Sequence, residues 1–194
     1  MRIYILLAHP NLDTLNGSFA DIYEKTAKTY GHEVRRHNLG EMKFDPILWK
    51  GYKKRMELEP DLKQAQENIQ WCEKWVIFYP IWWGSVPALL KGFLDRTLYS
   101  GFAYKYHEND PFWDKLLSGR SAQLITTCDA PSWWIAFMYR NSDLNMLKRA
   151  CLEFCGVHPI SVKRFSRIRY QSPEKVQSLI DSIPKLVPKL KNNF

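Results

Sequence analysis

The sequence predicts a single α/β domain in which five parallel strands are covered on both faces by helices. Three observations predict it. Short runs rich in β-branched and aromatic residues alternate along the chain with longer segments of helical period. Each connection between strand runs is long enough for the crossover of about a dozen residues that a parallel pair requires. Finally, 194 residues, 45% of them hydrophobic, are enough for one sizeable core and too few for two full-sized ones.

Taken in order, "RIYILLA" (2–8) reads as the first strand and "GSFADIYEKTAKTY" (17–30) as the first helix. "HEVRRHNL" (32–39) is the second strand, "DLKQAQENIQWCEK" (61–74) a helix and "WVIFYP" (75–80) the third strand. "VPALLKGFLDRTLY" (86–99) is a helix, "SAQLITT" (121–127) the fourth strand and "DLNMLKRACLEFC" (143–155) a helix. "VHPISVKRF" (157–165) is the fifth strand. The last helix, "SPEKVQSLIDSIPKLVPKL" (172–190), opens on Ser172-Pro173 and is interrupted late by Pro184 and Pro188. No internal repeat, low-complexity tract or linker divides the chain, so one domain spans 1–190, and residues 191–194 read as a frayed tail.

Composition excludes several classes. The net charge is +8 and the pI near 9.3, but Lys and Arg are scattered along the chain, Lys25 to Lys191 included, and not gathered into one run. That distribution reads as a solvated basic surface without a nucleic-acid partner, able to steer anionic ligands. Cys72, Cys128, Cys151 and Cys155 form no CxxC pair and have no nearby histidine cluster, so neither a disulfide scaffold nor a metal site is expected. Cys151 and Cys155 share a helical face and read as core. The opening apolar run is too short for a signal peptide, and no stretch approaches the length of a bilayer span. A cytoplasmic protein without membrane insertion is expected. Neither GxSxG nor HExxH occurs, and His32, His37, His107 and His158 are dispersed as surface or packing residues.

In an open α/β sheet, ligands bind outside the carboxyl ends of the strands, where strand order reverses. The loops to read are therefore "HPNLDTLNGS", "YPIWWGSVP" and "TTCDAPSWW". The first offers His9, Thr14 and Asn16 around a terminal phosphate, with the amides from Leu15 to Ser18 pointing at it. The alternative is that Asp13, Thr14 or Asn16 caps the helix. It lacks both GxGxxG and GxxxxGK, which disfavours a dinucleotide or nucleoside-triphosphate fold. In the second loop Trp82 and Trp83 leave a buried strand, where their rings can wall a flat ligand and the amides of Trp82, Trp83 and Gly84 can meet its polar edge. Core packing is the alternative for each ring taken singly.

"HPNLDTLN" and "YPIWWGSVPALLKGFLDRTLYSGFAY", with the sheet pattern, resemble the flavodoxin-like NAD(P)H:quinone oxidoreductases, which include DT-diaphorase and short bacterial NAD(P)H-dependent FMN reductases. The likeness runs from Arg2 to about Leu190; the middle motif is the most specific, and "TTCDAP" resembles one bacterial branch more than the mammalian enzymes. It implies a three-layer sandwich with strand order 2-1-3-4-5. It also implies a flavin that takes hydride from NADH or NADPH and delivers it, from one shared face, to a quinone or similar small aromatic acceptor in ping-pong fashion. By the same resemblance, His9, Thr14, Leu15 and Asn16 would hold the phosphate. Pro80, Ile81, Trp82, Trp83 and Gly84 would lie along the isoalloxazine, and Thr126, Thr127, Cys128 and Asp129 would reach its pyrimidine edge. Trp83, with Tyr104 and Tyr106 of "GFAYKY", would form the catalytic pocket. The tyrosines would come from the partner of a homodimer, or else pack as ordinary aromatics.

Two departures from the mammalian pattern matter. A glycine pair followed by Tyr and His is replaced by Cys128-Asp129 and Trp133-Trp134, with no histidine. An ionised carboxylate there would oppose the negative charge of a reduced flavin, so Asp129 is expected to turn away, cap a turn or sit protonated. Proton delivery would fall to a tyrosine or water. The chain is also shorter than the FAD-binding members, which favours FMN over FAD. Two other classes share the pattern, an electron-carrier flavodoxin and a redox-sensing regulatory subunit of an ion-efflux system.

Overall fold

The computed structural model describes residues 1–190, so the tail expected at 191–194 lies outside the described residues. In chain order the elements are β1 (Arg2–Leu7), α1 (Leu15–Thr29), β2 (Glu33–Asn38), α2 (Pro60–Trp71), β3 (Lys74–Pro80) and α3 (Ala88–Thr97). They continue as β4 (Tyr104–Tyr106), β5 (Trp113–Lys115), β6 (Ser121–Thr127), α4 (Ser132–Phe137), α5 (Ser142–Leu144), a π-helix (Asn145–Glu153), β7 (Ile160–Phe165) and α6 (Pro173–Ile180). Five strands form one parallel sheet in the order β2-β1-β3-β6-β7, which is 2-1-3-4-5 among the sheet's own strands.

Both faces of the central strands are buried, as a parallel sheet flanked by crossover helices requires. Successive side chains point to opposite faces, and β1 divides accordingly. Tyr4, Leu6 and Ala8 join Trp75, Ile77, Tyr79 and Leu124 beneath α2 and α3. Ile3, Ile5 and Leu7 join Val76, Phe78, Ile125 and Phe165 beneath α1 and the C-terminal segment. The apolar runs of β1, β3 and β6 are therefore nearly continuous, whereas β2, at the edge, buries no residue completely.

Two local expectations are corrected and one element is new. The last helix ends at Ile180 rather than 190, and a 3-10 turn (Ile183–Leu186) follows, because Pro184 lacks the N–H that an α-helix needs there. The segment expected as one helix at 143–155 begins as α5 and is then wound as a π-helix. "YKY" of "GFAYKY" is a strand, paired antiparallel with β5 so that Tyr106 faces Trp113.

The long connection 39–59 packs over α3. Gly92 admits it, since a Cβ there would lie 2.5 Å from both the Cβ and the carbonyl oxygen of Pro46. Arg96, whose side chain is 1% exposed, locks it by pairing with Glu59 at 2.8 Å and donating to the carbonyls of Glu57, at 2.9 Å, and Asp45. The short loops at the carboxyl ends of β1, β3 and β6 are left side by side.

Candidate functional site at the carboxyl edge of the sheet

The first loop is a wound approach to α1. His9 Nδ1 accepts from the Asn11 amide at 2.9 Å, and Asn11 Oδ1 accepts from the Asp13 amide at 3.0 Å. Thr14 is the N-cap, its hydroxyl accepting from the Gly17 amide at 3.2 Å. Gly17 is required by close approach, because a Cβ would lie 1.9 Å from the Leu12 carbonyl oxygen. Of the four N–H groups that every helix start leaves unpaired, those of Leu15 and Asn16 have no acceptor among the described residues. No acidic side chain stands in this first turn, so the positive end of the helix dipole is uncompensated.

Asn16 is 3% exposed, and its Nδ2 donates to Thr127 Oγ1 at 2.8 Å, tying the first loop to the end of β6. Its Oδ1 is buried without a partner. Such an orphan costs about 1–3 kcal/mol unless something completes it. Half a turn of the carboxamide would let Thr127 donate to Oδ1 and free Nδ2 for an anion.

The second loop is a tight reversal. Trp82 and Ser85 exchange two backbone hydrogen bonds of 2.9 Å, with Trp83 and Gly84 between them at φ of +50° and +72°. Positive φ at both central residues is the pattern of a type I′ turn, which glycine accepts and tryptophan resists. The Trp82 amide is thereby engaged, and only those of Trp83 and Gly84 remain for a ligand edge. The Trp83 ring is fully exposed, while Trp82 sits edge-on to His9 with centroids 5.3 Å apart. Gly84 is pressed against Tyr139, and its carbonyl accepts from the Ser142 hydroxyl.

In the third loop Thr126, Thr127 and Cys128 are buried. Burial pushes the Cys128 thiol up, and it stays a thiol that contacts the Ala130 carbonyl at 3.2 Å. Asp129 accepts from the Arg169 amide at 3.0 Å, holding the two loops beyond β6 and β7 together. Behind them lies a feature that the sequence did not reveal. Asp143, fully buried, receives both Arg164 contacts at 2.9 Å and the Tyr79 hydroxyl at 3.0 Å, while Arg164 also donates to Asn141 at 2.8 Å. Burial, with the neighbouring Asp143 charge, pushes the Tyr79 phenol well up, so it remains a donor. This network anchors the residues that press on Gly84.

The sheet edge thus collects His9, Thr14, Leu15, Asn16, Pro80 to Gly84 and Thr126 to Asp129. Tyr104 and Tyr106 are not among them. They contact each other, with centroids 5.2 Å apart, and Phe154, at 5.1 and 6.4 Å. Burial, then the Tyr106 and Tyr52 phenols, raise Tyr104 and keep it protonated. The ledge is open on the side of Trp83, and the exposed Trp133, Phe137 and Met138 extend its apolar rim. Among the described residues no helix is long and apolar enough to cross a membrane.

Known proteins share this architecture. The family described as a flavodoxin-like fold matches residues 1–185. An uncharacterized NAD(P)H oxidoreductase of Haemophilus influenzae is 28% identical over 185 residues, covering 93% of this chain and 91% of its own. NAD(P)H dehydrogenase (quinone) 1 of Rattus norvegicus is 26% identical over 206 residues, covering 92% of this chain and 73% of its own. The crystal structure of Smu.1420 from Streptococcus mutans UA159 matches with a TM-score of 0.82 at 29% identity, covering 96% of this chain and 98% of that one.

Proposed function

The chain belongs to the flavodoxin-like fold family, and on that premise we propose that it is an NAD(P)H oxidoreductase that uses FMN to reduce quinones or similarly flat aromatic acceptors. One observation carries the reading. At a single sheet edge, the amides of Leu15 and Asn16, without an acceptor among the described residues, stand at one end of a ledge whose other end is the Trp82–Ser85 turn.

When bound, FMN supplies the two-electron chemistry, taking hydride from NAD(P)H and giving it to the acceptor. The residues present fit it. The Leu15 and Asn16 amides would donate to the phosphate at the positive end of α1, with His9 beside them, and Asn16 Nδ2 would join them once its carboxamide turns so that Thr127 donates to Oδ1. Trp82 and Trp83 wall the ring, and the free amides of Trp83 and Gly84 meet its polar edge. Thr126 to Asp129 would border the pyrimidine side, where Asp129 Oδ1 is turned to the Arg169 amide.

The open ledge is closed by Tyr104 and Tyr106 of the partner subunit in a homodimer, which exclude water from hydride transfer. Either phenol, or water, protonates the acceptor, and both substrates use one slot in turn.

The test is the absorption spectrum of the purified protein, with the released flavin identified and its reduction by NADPH followed. Stoichiometric FMN that bleaches on adding NADPH is expected. A protein that takes up no flavin overturns the reading.

A further inference from the structure

We propose that the cavity between the connection 48–56, α3 and the β4–β5 hairpin is the site for the 2′-phosphorylated adenosine of NADPH, making this chain selective for NADPH over NADH. The inference rests on the proposed function only in taking a nicotinamide dinucleotide as the hydride donor.

The cavity holds about 500 Å³, within the range of about 300–1,000 Å³ usual for small-molecule sites. Its walls carry four phenol rings, Tyr52, Tyr99, Tyr104 and Tyr106, which suit a planar heterocycle. Three charged residues line it, and two are already neutralised. Arg96 is paired with Glu59 at 2.8 Å, and Asp95 with Lys91 at 2.6 Å.

Arg55 is the third, and among the described residues it has no acidic partner. Its guanidinium lies 3.9 Å from the centre of the Tyr99 ring and donates to the Tyr99 hydroxyl, so it is held at the wall without being neutralised. Lys50, Lys53 and Lys54 stand beside it on the same exposed segment, "KGYKKR", and they too lack an acidic partner among the described residues. Arg55 is thus the cation of the cavity wall without an acidic partner among the described residues, and the three lysines near it in sequence add to the positive charge of the segment. A guanidinium suits a phosphate, and a phosphate next to a stacked base is what distinguishes NADPH from NADH. Arg96 fixes the ends of the segment against α3, so the wall is anchored although its tip is solvated. Tyr104 and Tyr106 belong both to this cavity and to the proposed cover over the partner's flavin. A dinucleotide can therefore run from one to the other.

The experiment titrates the purified protein, with whatever flavin it carries, calorimetrically with adenosine 2′,5′-bisphosphate and with 5′-AMP. The bisphosphate should bind about tenfold or more tightly than AMP, as loss of one or two charge-assisted hydrogen bonds predicts. Arg55→Ala, and separately Lys53→Ala with Lys54→Ala, should abolish that preference and raise KM for NADPH about tenfold while moving KM for NADH less than twofold. These positions are exposed, so folding is not at stake. Equal binding of the two fragments, or a preference that survives both variants, overturns the site. Because fragment binding reports no turnover, a protein that prefers the bisphosphate but takes no flavin would leave this site standing and remove the flavin reading instead.

Discussion

Asn16 in the first turn of α1 donates its carboxamide to the Thr127 hydroxyl at the end of β6, 2.8 Å away, so that helix start and strand end are held as one surface. The residue is buried. Its Oδ1 has no partner, and a turn of the carboxamide would let Thr127 donate to Oδ1 and offer Nδ2 to an anion.

Asn16→Ala is therefore expected to weaken FMN binding by about 1.5–3 kcal/mol, the worth of a hydrogen bond to a charged group. Thr14→Ala acts differently, because its hydroxyl caps α1. It should cost about 1 kcal/mol of stability, or about 2–4 °C in Tm for a domain of this size, with a smaller effect on FMN. Thermal unfolding of the apoprotein and flavin-fluorescence titration separate the two. A Thr14→Ala variant with unchanged Tm and weakened FMN would place that hydroxyl on the phosphate instead.

The second prediction concerns the buried Tyr79–Asp143–Arg164 network. Asp143→Ala strands a guanidinium and a phenol in the core, for which about 3–5 kcal/mol is the usual cost. Asp143→Ala with Arg164→Met should recover part of that loss, since it removes both charges. Denaturant midpoints of the three proteins measure it. If the double variant is no more stable than the single one, the pair's geometry, rather than its unpaired charge, sets the cost.

How much of this was legible follows from the length of each signal. The five strands came from short β-rich runs alternating with helical segments, plainest where a strand buried on both faces, such as β3, must be apolar almost throughout; their order came only from the family resemblance. The three ligand loops followed from topology alone. The β4–β5 hairpin did not, since three-residue strands carry too little alternation to register a period. Asp143 was invisible for another reason. In the sequence it is a helix-start residue after Asn141-Ser142, and only the fold brings Tyr79 and Arg164 to it. The phosphate and capping readings of the first loop stayed open at the sequence level because the same residue types serve both. The structure puts Thr14 on the cap and leaves the Leu15 and Asn16 amides without an acceptor among the described residues.

The third prediction is a dependence of stability on pH. Burial, outweighing the Gln64 hydrogen bond and the Asp61 charge, holds His37 below its usual value, and the Tyr4 hydroxyl donates to its Nδ1 at 2.9 Å. The folded state thus binds fewer protons than the unfolded chain once pH drops below about 6.5. Stability should fall with pH from there and level off below the folded value, and His37→Gln should flatten that limb. His107 has the opposite sign, because the Asp114 and Asp110 carboxylates raise it: its contribution is present at low pH and lost as pH rises through the folded value. That cluster is exposed and should fade with added salt. Urea midpoints across pH at two salt concentrations distinguish the two histidines, and a His37→Gln protein with the original acid limb would remove His37 from the account.

The last prediction concerns the proposed shared slot. Trp83 is fully exposed, and Tyr104 and Tyr106 make their aromatic contacts away from their own sheet edge, so a closed pocket requires a second copy of the chain. The expected species in solution is a homodimer. If one slot over the flavin serves both substrates, nicotinamide must leave before the acceptor enters, and double-reciprocal plots should be parallel. Tyr104→Ala should raise KM for the quinone and for NAD(P)H together, because both pack on the same rings, while FMN stays bound. Intersecting lines would require two separate sites. A Tyr104→Ala protein that releases FMN while keeping both KM values would place the ring on the cofactor, and a fully active monomer by sedimentation would remove the partner's tyrosines from the mechanism.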